Sequence, residues 1–149
     1  MALYIAPIVT AVVGILTKYM PYALTGTGFG PFTGIGKLFT GVMANPPEAW
    51  VDGVRTQIDD SGNTLAERHE ITIKFAVTAA EPDDIQAAAV VYMKAIADAF
   101  DAAQPSDWGV VQPNRARMVE HDYGPLFVHG NVLARFPEAH LEIEVNEPG

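Results

Sequence analysis

The sequence predicts an α+β fold: an antiparallel or mixed β-sheet packed by an N-terminal helix and a long central helix, with a projecting β-hairpin. Three observations carry that prediction. Residues 71–78 alternate, with Ile71, Ile73, Phe75 and Val77 on one face and Thr72, Lys74 and Thr78 on the other, which is the period-2 signature of a half-buried strand. Residues 82–103 place Ile85, Ala89, Tyr92, Met93, Ile96, Phe100 and Ala103 at every third or fourth position, while Asp84, Lys94, Asp98 and Asp101 avoid that stripe, as an amphipathic helix does. Helices are outnumbered by antiparallel strands and do not alternate with them, which separates this chain from βαβ architectures.

A chain of 149 residues is sized for one domain with its own core. It has no cysteine, so disulfides and thiolate metal sites are excluded. A formal charge of −9 argues against a surface built to neutralise phosphates. It suits a protein kept soluble before it meets a partner.

Residues 2–17 are apolar and uncharged. The run is shorter than the ~20 residues that span a bilayer, and no basic residue precedes it as in a secretory signal. It reads as a buried helix over 7–20, with Pro7 in the first turn, a stripe of Ile8, Val12, Ile15, Leu16 and Tyr19, and Pro21 as its end.

Residues 22–47 are punctuated by Gly26, Gly28, Gly30, Gly34, Gly36 and Gly41 and by Pro31, Pro46 and Pro47, so they make turns. Phe29, Phe32, Leu38 and Phe39 are interleaved with them. A disordered linker does not carry so many large apolar groups. An ordered loop or insertion is expected, packed on the domain or on a neighbouring subunit. A phosphate-loop reading fails, because Gly36-Lys37 is followed by Leu38 and Pro31 stands where a glycine is required.

Residues 49–58 read as the first strand, with Gly53 marking a bulge. Asp59, Asp60, Ser61, Gly62 and Asn63 supply turn chemistry, and the strand at 69–78 follows, so 49–78 is a hairpin with a polar tip. Pro82 and the pair Asp83 and Asp84 fit the first turn of the long helix, which over about 22 residues runs roughly 33 Å. Turns follow at 104–109 and 112–114. A strand is expected over 115–123, a corner at 122–125, a tight turn at Gly130-Asn131, and a clear closing strand over 140–145.

Catalytic constellations are weak. His140, Glu142 and Glu144 share one strand face, but alternate residues lie ~6.5–7 Å apart, wide for one ion, and a solvated face is the simpler account. His121 and Asp122 with His129 resemble a dyad, but no nucleophile motif accompanies them. Arg115 and Arg117 form the one basic cluster, too small for a nucleic-acid footprint and suited to an acidic surface on an adjacent copy. No catalytic, cofactor or metal site is expected, and the chain reads as a non-enzyme.

Three stretches carry a family likeness. They are the passage from His69-Glu70-Ile71 through Phe75-Ala76-Val77 to Tyr92-Met93-Lys94-Ala95-Ile96, the corner Asp122-Tyr123-Gly124-Pro125-Leu126-Phe127, and the ending Leu133-Ala134-Arg135 through Leu141-Glu142-Ile143-Glu144-Val145. Their order resembles the tail terminator (tail completion) proteins of long-tailed bacteriophages over roughly residues 48–146. None is a strict motif, and the glycine-rich insertion at 22–47 departs from the family's short connection.

The resemblance implies one terminator-like domain over 1–149 and a homo-oligomeric ring, of six copies, at the head-proximal end of the tail. Such a ring ends tail-tube polymerisation and meets the head–tail connector. Its partners would be further copies of itself, the tail-tube protein, the connector and genomic DNA sliding through the lumen without specific binding, with no membrane; its place is the virion tail or neck, after assembly in the host cytoplasm. Another neck or tube subunit is the alternative within this class, and a small α+β enzyme or ligand-binding domain the alternative outside it. Contact residues are expected at Asp59, Asp60, Ser61, Gly62 and Asn63 of the tip, at Phe29 and Phe32, and at Arg115, Arg117 and Arg135.

Overall fold

The computed structural model describes residues 5–36, 46–61 and 64–148. Helix α1 (Ile5–Ala23) is followed by a short strand β1 (Gly34–Gly36), the hairpin strands β2 (Glu48–Ser61) and β3 (Thr64–Ala79), and helix α2 (Pro82–Ala102). A 3-10 turn (Pro105–Trp108) leads to β4 (Arg115–Asp122), β5 (Leu126–His129), β6 (Val132–Arg135) and β7 (Glu138–Pro148). Among the described residues the strands form a seven-stranded sheet. β1 pairs parallel with β2 and the other pairings are antiparallel. The fold is therefore α+β with a mixed sheet, as the pattern predicts.

β3 is the axis of the sheet. One of its edges holds β2, from Glu48↔Ala76 to Ser61↔Thr64. The other edge is shared, with β6 on 77–79 and β7 on 64–74. The sharing follows from Pro137, which has no N–H to give a ladder; its carbonyl instead accepts the Phe75 N–H at 3.0 Å. β4 pairs with β7 and β5 with β6, so residues 115–148 form one long hairpin turning at Gly130-Asn131. It bends where 123–125 face 136–137, three residues against two, between Asp122↔Glu138 and Leu126↔Arg135. Gly124 sits in this bulge at φ +70°, and a Cβ there would meet the Phe136 carbonyl oxygen at 2.9 Å.

Both helices contribute to a core on one face of the sheet. β3 supplies Ile71, Ile73, Phe75 and Val77, β7 supplies Ala139, Leu141, Ile143 and Val145, and β2 supplies Ala49 and Val51. The α2 stripe of Ile85, Ala89, Tyr92, Met93, Ile96 and Phe100 is buried as expected, and α1 adds Ile8, Val12, Ile15, Leu16 and Met20. Each large apolar side chain so buried contributes about 1.5–3 kcal/mol. α2 begins on Pro82 with Asp83 and Asp84 in its first turn, and the extended Glu81 before it makes no side-chain cap bond. Among the described residues, no helix is long and apolar enough to cross a membrane.

The structure corrects several boundaries. α1 does not stop at Pro21 but runs on to Ala23. In a last turn the proline deletes a single intrahelical bond, and Leu24 N–H still reaches the Met20 carbonyl at 3.0 Å. β1 was not expected: Gly34-Ile35-Gly36 has no alternation of its own and becomes a strand by pairing with Glu48, Ala49 and Trp50. The hairpin is longer than expected and is not a bare two-stranded arm, because β7 accompanies β3 to Thr64↔Pro148. Its expected bulge is present, with 53–54 unpaired between Asp52↔Thr72 and Arg55↔Glu70.

Candidate functional site

The expected contact residues fall in separate places. The backbone of 59–61 lies in β2, whereas Gly62 and Asn63 at the tip, like 37–45 of the glycine-rich loop, lie outside the described residues.

Phe29 and Phe32 are occupied within the domain. Phe32 is 8% exposed and stacks on Tyr92 with ring centroids 5.0 Å apart, while Phe29 meets Tyr92 edge-on at 5.7 Å. The Tyr92 hydroxyl donates to the Gly30 carbonyl at 2.6 Å, and burial pushes its pKa up. Of the two packings open to this loop, its first half takes the one against its own domain, with Phe32 against Tyr92 and Phe75.

Arg135 is similarly engaged: half-buried on β6, it donates from Nη1 to Gln86 Oε1 on α2 at 2.5 Å. Arg115 and Arg117 are different. Both are exposed on β4, opposite Glu144 and Glu142 of β7.

The histidine groupings do not converge. His140 faces Thr72, with Nδ1 3.2 Å from its hydroxyl, and its Nε2 lies 3.5 Å from Glu138. Glu142 lies instead 3.7 Å from Arg68. Among the described residues no group of three or more acidic or imidazole side chains could hold a metal ion. His121 and Asp122 are neighbours on β4, opposite Ala139 and Glu138 respectively, so they point to opposite faces. Asp122 accepts the Gly124 N–H at 2.8 Å, fixing the corner, and His121 packs edge-on against Tyr123.

Two clusters were not foreseen. Glu67 and His69 lie in the polar stretch before the core strand, yet both are fully buried. They continue the inner face of β3, opposite Val145 and Ile143. His69 Nδ1 is 3.0 Å from Thr56 Oγ1 and its Nε2 3.3 Å from Glu67 Oε2. Glu67 Oε1 has no partner among the described residues. Elsewhere, Asp107 of the 3-10 turn gathers the Tyr19 hydroxyl at 2.5 Å, Lys18 Nζ at 2.9 Å and the Gln104 N–H at 2.7 Å. The Tyr19 hydroxyl foremost, then Lys18 and the Gln104 amide, lower the Asp107 pKa to about 2.

One apolar edge of the sheet is exposed among the described residues. β5 pairs only with β6 among the described residues, and Leu126, Phe127 and Val128 on it are 41%, 48% and 80% exposed. Beside it a cleft of about 420 Å³ is walled by Pro125, Phe127 and Phe136 and rimmed by Asp122, Glu138 and Lys74. A strand edge with unpaired backbone groups and exposed apolar side chains is a ready template for another chain. In the sequence the run Leu126-Phe127-Val128 has no alternation to say that one side is bare.

No protein-family model matches this chain. No curated protein matches it either. Among solved structures, the chain is similar in fold to a chain of the virion of a native gene transfer agent (GTA) particle, with a TM-score of 0.51 and 14% identity over 93% of this chain and 94% of the other.

Proposed function

We propose that this protein is a structural component of a phage-like virion, forming a ring at the head-proximal end of the tail. The ring would end tube polymerisation and offer its other face to the head connector. The observation that carries the reading is the end-to-end similarity in fold to a virion chain, which leaves no large part of either chain over. The element order supports the finer reading, because it is the order that resembles the tail terminators. A non-enzymatic role agrees with both likenesses.

The physics of such a ring is coherent. A head-to-tail contact closes into a ring when its rotation closes. The β5 edge, the hairpin tip and the β1 edge of the sheet are the places that assembly can use. An acidic chain, at −9, lets a polyanion slide past without gripping it. The partners would be further copies of this chain, a tube protein and a connector.

Negative-stain imaging of the purified protein, alone and with polymerising tail tubes, tests the reading. Rings of uniform diameter that cap tubes are the expected result. Self-polymerisation into long tubes would reassign the chain as a tube subunit. A strict monomer that never associates with tubes under assembling conditions would sink the proposal.

A further inference from the structure

The β4 edge carries a charge pattern that is complementary to itself. The strand reads Arg115-Ala116-Arg117-Met118-Val119-Glu120-His121-Asp122. Basic residues occupy one end and acidic residues the other. Read against a second copy running the opposite way, Arg115 meets Asp122, Arg117 meets Glu120, and Met118 meets Val119.

The faces agree as well, and they agree because of a bulge. Arg115, Arg117, Glu120 and Asp122 lie opposite Glu144, Glu142, His140 and Glu138 of β7, all on the face away from the helices. The register slips by one between Met118 and Glu120. On a regular strand, positions 117 and 120 would face opposite ways, and an odd register about this centre would put arginine and carboxylate on different sides. The bulge at Val119 brings them into phase. Edge bulges ordinarily deter pairing; this one leaves the self-complementary register as one in which the arginines and the carboxylates opposite them share a face.

The edge is also available. β4 pairs only with β7 among the described residues. Arg115, Arg117 and Glu120 are exposed and form no ion pair with another described side chain. Val119 is 46% exposed. Two further exposed apolar residues flank the strand symmetrically: Val110 stands five residues before Arg115 and Phe127 five residues after Asp122, at 75% and 48% exposure. A two-fold axis at the strand centre brings the Val110 end of one copy to the Phe127 end of the other.

We propose that two copies of this chain pair through their β4 edges, antiparallel, about a two-fold axis between Met118 and Val119, extending the sheet across both copies. Cross-strand ion pairs set the register, and the pairing covers an edge that would otherwise be free to aggregate. The contact is isologous, whereas a ring needs a head-to-tail contact, so the pairing stands apart from the ring proposed above. It gives the protein a closed form outside the ring.

Light scattering on the whole chain at low salt, comparing wild type with Arg117→Glu and Glu120→Arg, tests the pairing. The wild type, away from tail tubes, is expected at twice the 16.0 kDa chain mass. Each variant sets like charges opposite each other twice across the axis, and self-association should weaken roughly tenfold or more. An equimolar mixture of the two restores opposite charges at both places and should recover the wild-type mass. A monomeric wild type, variants that keep the wild-type mass, or a mixture that does not recover it would each overturn the pairing. Variants that fall to monomers yet cap tail tubes as the wild type does would support a pairing separate from the ring. Amide exchange on the unaltered chain gives an independent check: β4 protons should exchange more slowly as concentration rises, and exchange independent of concentration would count against the dimer.

Discussion

The two ends of the β-hairpin formed by residues 115–148 have opposite fates. Along β7, Ala139, Leu141, Ile143 and Val145 are buried beneath the helices, none more than 3% exposed. Along β5, Leu126, Phe127 and Val128 are apolar too, yet stand 41–80% exposed. The chemistry of the side chains is the same, and position decides. β7 lies between β3 and β4, whereas β5 has β6 on one side alone among the described residues. Burial in the first region holds the fold together, and exposure in the second leaves an apolar strand edge without a partner among the described residues. Substitutions in the two regions should therefore separate stability from association.

The largest loss of stability is expected from Phe75→Ala. Phe75 is fully buried, with its ring centroid 5.6 Å from that of Phe32 and 6.1 Å from that of Tyr92. Removing it should cost about 3–5 kcal/mol, read as a lowered denaturant midpoint. A cost near zero would show that the sheet and helix faces are not packed as described. Gly124→Ala, at the bend between the two regions, comes next. Its φ of +70° and the Phe136 carbonyl 2.9 Å from the new Cβ should cost roughly 1–3 kcal/mol. It should also loosen β5 relative to β7, seen as faster amide exchange confined to β5 and β6. Tyr92→Phe removes the bond to the Gly30 carbonyl while keeping the ring stack, for about 1 kcal/mol.

How far the sequence announced these regions follows the same divide. Wherever one face is covered, the pattern was legible: the alternation of β3 and the stripe of α2 named the large buried side chains, but missed the buried Ala88, Ala95 and Ala99 and included Ala103, which is half-buried. What was hidden depends on partners distant in sequence. Gly34-Ile35-Gly36 is a strand because β2 lies beside it. Glu67 and His69 look like polar-tip residues, and are buried because they continue the inner face of β3. Phe29 and Phe32 were legible as anchors, but whether their pocket belonged to this chain or to a neighbour depended on Tyr92, some sixty residues on. The exposed edge at β5 could not be read at all, since an apolar run carries no mark of which side stays open.

The Asp107 cluster sharpens the comparison through pH. Its carboxyl is held near 2, against an ordinary value of 3.8, by Tyr19 and Lys18 of α1 and by the Gln104 amide. A pKa depressed in the folded state contributes stability that is present above about pH 4 and lost as pH falls toward 2. Asp107→Asn should therefore lower the melting temperature at neutral pH, with the gap to wild type closing on acidification through that window. The effect should be smaller than those above, because the cluster sits at the surface and is screened. A gap that is constant down to pH 2 would mean that the charge of Asp107 does not hold α1 to the turn.

The smallest effect on stability, and the most informative one, is expected from Val128→Ser. At 80% exposure the side chain has little contact to lose, and the folding free energy should stay within about 0.5 kcal/mol of wild type. Serine is a poorer strand former, but β5 lies at an edge, where propensity effects are small and depend on what packs against the strand. If β5 is an assembly surface, capping of tail tubes should nevertheless weaken, because a hydroxyl would be buried in an apolar contact without a partner. Stability and tube capping measured on the same preparation therefore answer separate questions. Unchanged capping would remove β5 from the assembly surface and leave the hairpin tip and the β1 edge to carry it. A large loss of stability would mean that Val128 is covered within the fold after all, and the contrast between the two ends of the hairpin would fail with it.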